Sequence, residues 1–378
     1  MFDHAQRRER LWERMAEAGV DLLFVPPSGD LEYLTGMQRR IPAFGSVEYA
    51  HHWVTGAFVA PGREPVFVLP RMVREFDLPE GVGGGDVVTV NETDDAVALF
   101  AKALGQFGTP RRIGVGHRTW AATTVQLGKL LPDAAIVDAN PLVNALRRIK
   151  SPDELAAMTR AATLVDGVLA DLQDKVREGV TELELASEID LQMRRRGSRT
   201  ASFDTAVWAM GPDTERDATV RLSDAALRAG SGVSFDFGSV VDGYVSDFGR
   251  TIHIGAPPAE YERVYALVMA AQAAGMAAAK PGATAAQVHA ATRQVIVDGG
   301  YGRWFRHRTG HCIGMDVHEL PFISEEDDTP LEEGMTFTIE PSVFWPGRVG
   351  VRVEDVVVCE PGGGRKLNQH PVTLVAND

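Results

Sequence analysis

Five carboxylate and imidazole side chains, Asp236, Asp247, His311, Glu340 and Glu354, have the types and settings that could do metal chemistry. The two aspartates lie in VSFDFGSVVDGYVSDFGRT (233–251), in apolar strand-like runs on either side of Asp242-Gly243. An Asp-Gly pair between such runs favours a type I′ hairpin. A two-residue turn there puts Val241 opposite Tyr244 and Asp247 opposite Gly238. Side chains two apart in a strand share a face, so Asp236 and Asp247 become diagonal neighbours. Asp is depleted in strands, and a carboxylate between Phe235 and Phe237 is costly unless a cation pairs with it. A metal ion or an arginine could be that cation.

The segment HRTGHCIGMDVHE (307–319) holds His307, His311 and His318. Imidazole is the commonest metal ligand and a common acid or base. The zinc-helix pattern HExxH is absent, and Thr309-Gly310 argues against His307 and His311 sharing a helical turn. In MTFTIEPSVFWPGRVGVRVEDVVVC (335–359), two β-patterned runs flank Trp345-Pro346-Gly347. Glu340 ends the first run, and Glu354 lies in the second with Arg352 on the same face by period two. Together the five form an oxygen-rich set with one nitrogen, suited to Mn²⁺, Co²⁺ or Zn²⁺. The four carboxylates balance two such ions. Ions about 3.5–4 Å apart can acidify a shared water and clamp a reacting carbonyl.

These residues need a scaffold, and the chain has 378 residues to build one. That length suggests two or three domains at about 150 residues each. Residues 1–145 read as an α/β domain: a helix over 7–18, then short apolar runs at 21–25, 56–60, 65–69 and 112–116. Asn140-Pro141 reads as a chain break ahead of the boundary. Residues 146–378 read as α+β. Ser151-Pro152-Asp153-Glu154 opens a helix with a capping box, and Thr181 with Glu184 repeats the device. Two further helices are expected near 259–279 and 284–297, separated by Pro281-Gly282.

The formal net charge of −14 argues against sequence-independent nucleic-acid binding, which needs a positive surface. Two cysteines make no disulfide framework. The chain start has no apolar stretch of signal-peptide length, and no apolar run of membrane-spanning length occurs. A cytoplasmic protein with no membrane partner is the expectation.

In this order, the segments resemble the pita-bread metallopeptidase family, which includes aminopeptidase P, prolidase, methionine aminopeptidase and the non-peptidase creatinase. LEYLTG (31–36) and RRIKSPDELAAM (147–158) resemble the amino-terminal domain and linker of the prolidase and creatinase branch. The resemblance implies an N-terminal creatinase-like α/β domain (1–145) and a C-terminal pita-bread domain (146–378), α+β overall. It implies two divalent ions, with Asp236 on one, His311 and Glu340 on the other, and Asp247 and Glu354 bridging. Glu340 would be the general base or proton shuttle, His318 would contact substrate and stabilise developing charge, His307 would bind substrate near the leaving-group pocket, and Arg352 would support the ligands or face substrate. The implied reaction is cleavage of Xaa-Pro bonds in dipeptides or short peptides through a metal-bound hydroxide. A homodimer is also implied, in which Arg39-Arg40 and His51-His52 are candidates to reach a partner's site.

Two departures bear on substrate. The stretch GPDTERDATVRLSD (211–224) lacks the further substrate histidine of prolidases, with Ala218 or Thr219 near its place. Gly249 stands where many members carry threonine. The missing histidine favours an alternative, hydrolysis of a small non-peptide C–N compound, as in creatinase-like or ectoine-hydrolase-like relatives. A silent binding module of the same fold is a third reading, opposed by the retention of all five ligand positions.

Overall fold

Apolar runs bounded by turn residues become strands in the computed structural model, which describes residues 2–40, 47–79, 81–212, 220 and 222–378. The chain forms two compact units, Met1–Arg147 and Arg148–Asp378.

The first unit runs α1 (His4–Ala18), β1 (Leu22–Val25), α2 (Gly29–Thr35), β2 (Gly56–Val59), β3 (Val66–Pro70), α3 (Arg71–Asp77), β4 (Asp86–Val90), α4 (Ala96–Gly105), β5 (Arg112–Val115), α5 (Ala121–Leu130), β6 (Ala135–Asp138) and α6 (Asn140–Arg147). One six-stranded mixed sheet has the order β4-β3-β2-β1-β5-β6. Strands β1, β2 and β3 are buried at every residue, which is why they read as continuous apolar runs. Asn140-Pro141 corrects the sequence reading: it opens α6 instead of breaking the chain. Proline is tolerated in a first helical turn, where its missing N–H has no partner to lose. Arg39 is buried in an ion pair with Glu32.

The second unit begins with α7 (Pro152–Leu172) and α8 (Glu182–Arg195). Strands β7 (Ala206–Met210), β8 (Gly232–Phe237), β9 (Val240–Val241), β10 (Tyr244–Val245) and β11 (Phe248–Ile254) follow. Helices α9 (Ala259–Ala278) and α10 (Ala285–Asp298) precede β12 (Gly310–Cys312), β13 (Glu319–Ile323), β14 (Thr336–Ile339), β15 (Ser342–Trp345), β16 (Val349–Arg352), β17 (Asp355–Glu360), β18 (Gly363–Lys366) and β19 (Val375–Asn377). Capping boxes at Ser151–Glu154, Thr181–Glu184 and Thr284–Gln287 start α7, α8 and α10 by pairing N–H groups that a helix leaves open.

Two sheets carry the site, β19-β11-β8-β7 and β13-β12-β14-β17-β18. Helices α7 and α8 bury Val165, Leu169, Leu185 and Ile189 together with Phe235, Phe237 and Phe248 of the first sheet. In the second sheet, Cys312, Phe337 and Val357 share a core with Val288 of α10. The sheets meet where Gly249 of β11 bridges Glu354. Among the described residues no helix is long and apolar enough to cross a membrane.

Candidate metal centre

The hairpin turn places the two aspartates. Asp242 and Gly243 both have positive φ (51° and 83°), as a type I′ turn requires. Val241 pairs with Tyr244, and the register continues unbroken to Phe237–Phe248 and Asp236–Gly249. Asp236 and Asp247 therefore fall on one face, as the turn dictates. Glu354, between β16 and β17, joins them through the Gly249 bridge. Oxygens of Asp236, Asp247 and Glu354 all lie within 4.8 Å of one another, and all three residues are buried.

A second group adjoins the first through Asp247. His311, on β12, directs Nε2 toward Asp247 Oδ2 (3.4 Å) and Glu340 Oε1 (3.5 Å). These separations exceed ordinary hydrogen bonds. They suit two ligands sharing one ion through bonds of about 2.1 Å. His311 Nδ1 faces the Cys312 carbonyl at 3.2 Å, an arrangement that leaves Nε2 free for a ligand. Thr338 Oγ1 accepts from His311 N–H and donates to Glu340 Oε1, both at 3.1 Å. The sequence reading missed Thr338, although it lies two residues before Glu340 on the same strand face.

Arg352 stands among the carboxylates. Its Nη1 donates to Asp236 Oδ2 at 2.7 Å, Nη2 donates to Glu340, and Nε lies 2.9 Å from Glu354 Oε2. The Nε approach lacks the angle of a hydrogen bond, and among the described residues neither Glu354 oxygen has a hydrogen-bond partner. Among the same residues Asp247 Oδ1 also lacks one. Burial, followed by repulsion from Asp247, Glu340 and Asp236, pushes the Glu354 carboxyl well above its ordinary range, against the pull of Arg352. Burial works against ionised Glu340, yet Arg352, His311 and His307 hold it down at about 2. One guanidinium does not balance four buried carboxylates. Orphaned buried oxygens beside an imidazole nitrogen are the fit test for divalent cations, and these residues pass it.

The residues expected to face substrate surround this group. His318 is exposed, with its ring edge-to-face on His311 (centroids 4.2 Å apart). The protein mass around it, then the charge of His311, pushes its pKa down to about 4, so it is a neutral imidazole. His307 is held at both nitrogens, by Ser342 Oγ and the Arg308 carbonyl, each at 2.6 Å. Phe344 links it to the buried apolar group of Ala206, Trp208 and Met210. Nothing in the local pattern had singled out Ser342. Ala218 and Thr219, the places of the missing histidine, lie outside the described residues.

The profile of metallopeptidase family M24 matches residues 156–361, and that of the Creatinase/Prolidase N-terminal domain matches residues 7–149. The Xaa-Pro dipeptidase of Lactobacillus delbrueckii subsp. lactis is 30% identical, covering 94% of each chain. The crystal structure of a prolidase from Thermococcus sibiricus superposes with a TM-score of 0.88 at 28% identity, covering 100% of both chains. That of dipeptidase PepE from Mycobacterium ulcerans gives 0.86 at 33% identity, covering 99% of both.

Proposed function

The chain belongs to metallopeptidase family M24, and from that premise we propose that it is a two-metal peptidase cleaving Xaa-Pro bonds in dipeptides or short peptides. The observation that carries the reading is the buried carboxylate group of Asp236, Asp247 and Glu354, with His311 and Glu340 joined to it through Asp247. Asp236 would hold one ion, His311 and Glu340 the other, and Asp247 and Glu354 both. Asp247 stands in both groups, which supports its bridging assignment. Bound divalent ions would supply Lewis acidity toward the scissile carbonyl and an acidified water as nucleophile.

The remaining work falls to the chain's own side chains. Glu340 accepts the proton lost by the attacking water and passes it toward the leaving amine. Arg352 orients Asp236 and Glu340 by direct hydrogen bonds. His318, as a neutral imidazole, donates a hydrogen bond to the carbonyl oxygen as negative charge develops there. His307, immobilised by Ser342, borders the leaving-group side.

A second reading, hydrolysis of a small non-peptide C–N compound, is favoured by the absence of histidine from residues 211–224. A substrate panel with Mn²⁺, Co²⁺ or Zn²⁺ added, together with elemental analysis, separates the two. We expect about two ions per chain, too many ligands being present for one tetrahedral site, and turnover of Ala-Pro or Met-Pro. Trace metal alone under saturating conditions would overturn the two-metal reading. Hydrolysis of small non-peptide C–N compounds of the creatine or ectoine type in place of the dipeptides would replace the first reading with the second.

A further inference from the structure

We propose that Lys150 is a positioning residue for His318, acting through Glu319; the inference rests on the substrate-contacting role given to His318 above. Lys150 and Glu319 form a buried ion pair, with side chains 1% and 5% exposed and Nζ 3.4 Å from Oε2. The other carboxylate oxygen, Oε1, accepts the backbone N–H groups of Met315 (2.9 Å) and Asp316 (3.1 Å). Glu319 thus gathers both ends of the loop that carries His318, the residue immediately before it. A Cβ on Gly314 would stand 2.9 Å from both Lys150 Cε and Glu319 Oε1, so the loop packs directly against the pair at this glycine.

The clamp is anchored on fixed elements. Lys150 N–H donates to the Gly334 carbonyl at 3.0 Å, Ile149 bridges Met335, and Ser151 caps α7 immediately afterwards. On its far side the loop accepts the Val245 N–H at the Gly314 carbonyl (2.8 Å), two residues before Asp247. The loop is therefore pinned between the start of α7 and the hairpin arm that bears a proposed ligand. A buried ion pair is weak as a source of net stability, since apolar side chains of similar size pack there as well or better. Its distinct property is direction. An ammonium and two N–H groups converging on one carboxylate select a single loop conformation, and with it one placement of His318 against His311.

The test compares Lys150→Met, His318→Ala and the double variant as full-length, metal-reconstituted proteins, with Ala-Pro as substrate. Lys150→Met should keep its metal content and KM and lose up to about 100-fold in kcat, the scale of a misplaced reacting group. In the His318→Ala background it should cost nothing further. Hydrogen exchange should show protection lost at Met315 and Asp316. A lowered Tm with unchanged kcat, or losses that multiply in the double variant, would overturn the proposal. If Lys150→Met does not fold, Glu319→Gln, which keeps the shape and removes the charge, takes its place in the same comparison. If the parent enzyme does not turn over Ala-Pro, the fault lies in the substrate reading. Unchanged protection at Met315 and Asp316 would then overturn the clamp by itself.

Discussion

Asp247 touches both halves of the candidate centre: Asp236 and Glu354 on one side, His311 on the other. Its loss should therefore empty the whole centre. Asp247→Ala and Glu354→Ala are expected to lose both ions under conditions that saturate the parent, and His311→Ala to lose one. Elemental analysis of dialysed protein reads this directly, and an Asp247→Ala variant that retains two ions would contradict the bridging assignment. His318 has a different place, packed on His311 without belonging to either ligand group. His318→Ala should retain its metal while kcat falls by about 10²–10³, the usual cost of one donor to a developing oxyanion. An unchanged kcat would remove His318 from the mechanism.

Among the elements, the β9–β10 hairpin decides whether the aspartates can meet. The chain leads into it from Asp236 on β8 and out of it to Asp247 just before β11, and the register between them depends on a turn with positive φ at both central residues. Gly243→Val forces a β-branched side chain into a φ of 83°, which such residues rarely adopt. We expect this variant to lose thermal stability and bind metal more weakly in calorimetric titration. Asp242→Asn keeps a turn-compatible side chain and removes only an exposed ion pair with Arg160, so both properties should persist. Full metal affinity in Gly243→Val would show that the sheet alone sets the register. Other elements were harder to read. Strand β4 has a mostly half-exposed pattern, and β6 is exposed or half-exposed throughout, so neither offers a clear alternation.

Across the molecule, pH couples to folding through histidines outside the metal centre. Burial lowers the pKa of His4, His253, His289 and His370 below the ordinary 6.5. In the unfolded chain each takes up a proton as pH falls through about 6.5. In the folded protein each stays neutral further into acid. The unfolded state then binds more protons, so these groups make stability decline below about pH 6.5 and leave it unaffected above. His253 Nδ1 faces the Gly255 carbonyl at 2.8 Å, and His289 Nδ1 faces Thr309 Oγ1 at 3.0 Å. An asparagine amide can occupy either place without titrating. Between pH 7 and 5, Tm should fall less steeply in His253→Asn and His289→Asn than in the parent at the same metal loading. Parallel Tm profiles would show that neither histidine carries the acid sensitivity.

The sequence by itself determined what depends on neighbours along the chain. Asp242-Gly243 specifies the turn, and the two-residue period of a strand then places Asp236 beside Asp247. Ser151 with Glu154 and Thr181 with Glu184 mark helix starts, because a cap acts within one turn. Arg352 and Glu354 share a face for the same local reason. Only the tertiary structure decided which distant segments meet. The Gly249–Glu354 bridge brings the last carboxylate to the hairpin, and the second sheet brings His311 and Glu340 to Asp247. Arg352 reads in sequence as either a support for the ligands or a substrate-facing cation, and packing buries it among the carboxylates. Lys150 and Glu319, 169 residues apart, have no shared periodicity to announce their pairing. Such contacts are set by how sheets and helices bury their apolar faces, and that is a property of the whole fold.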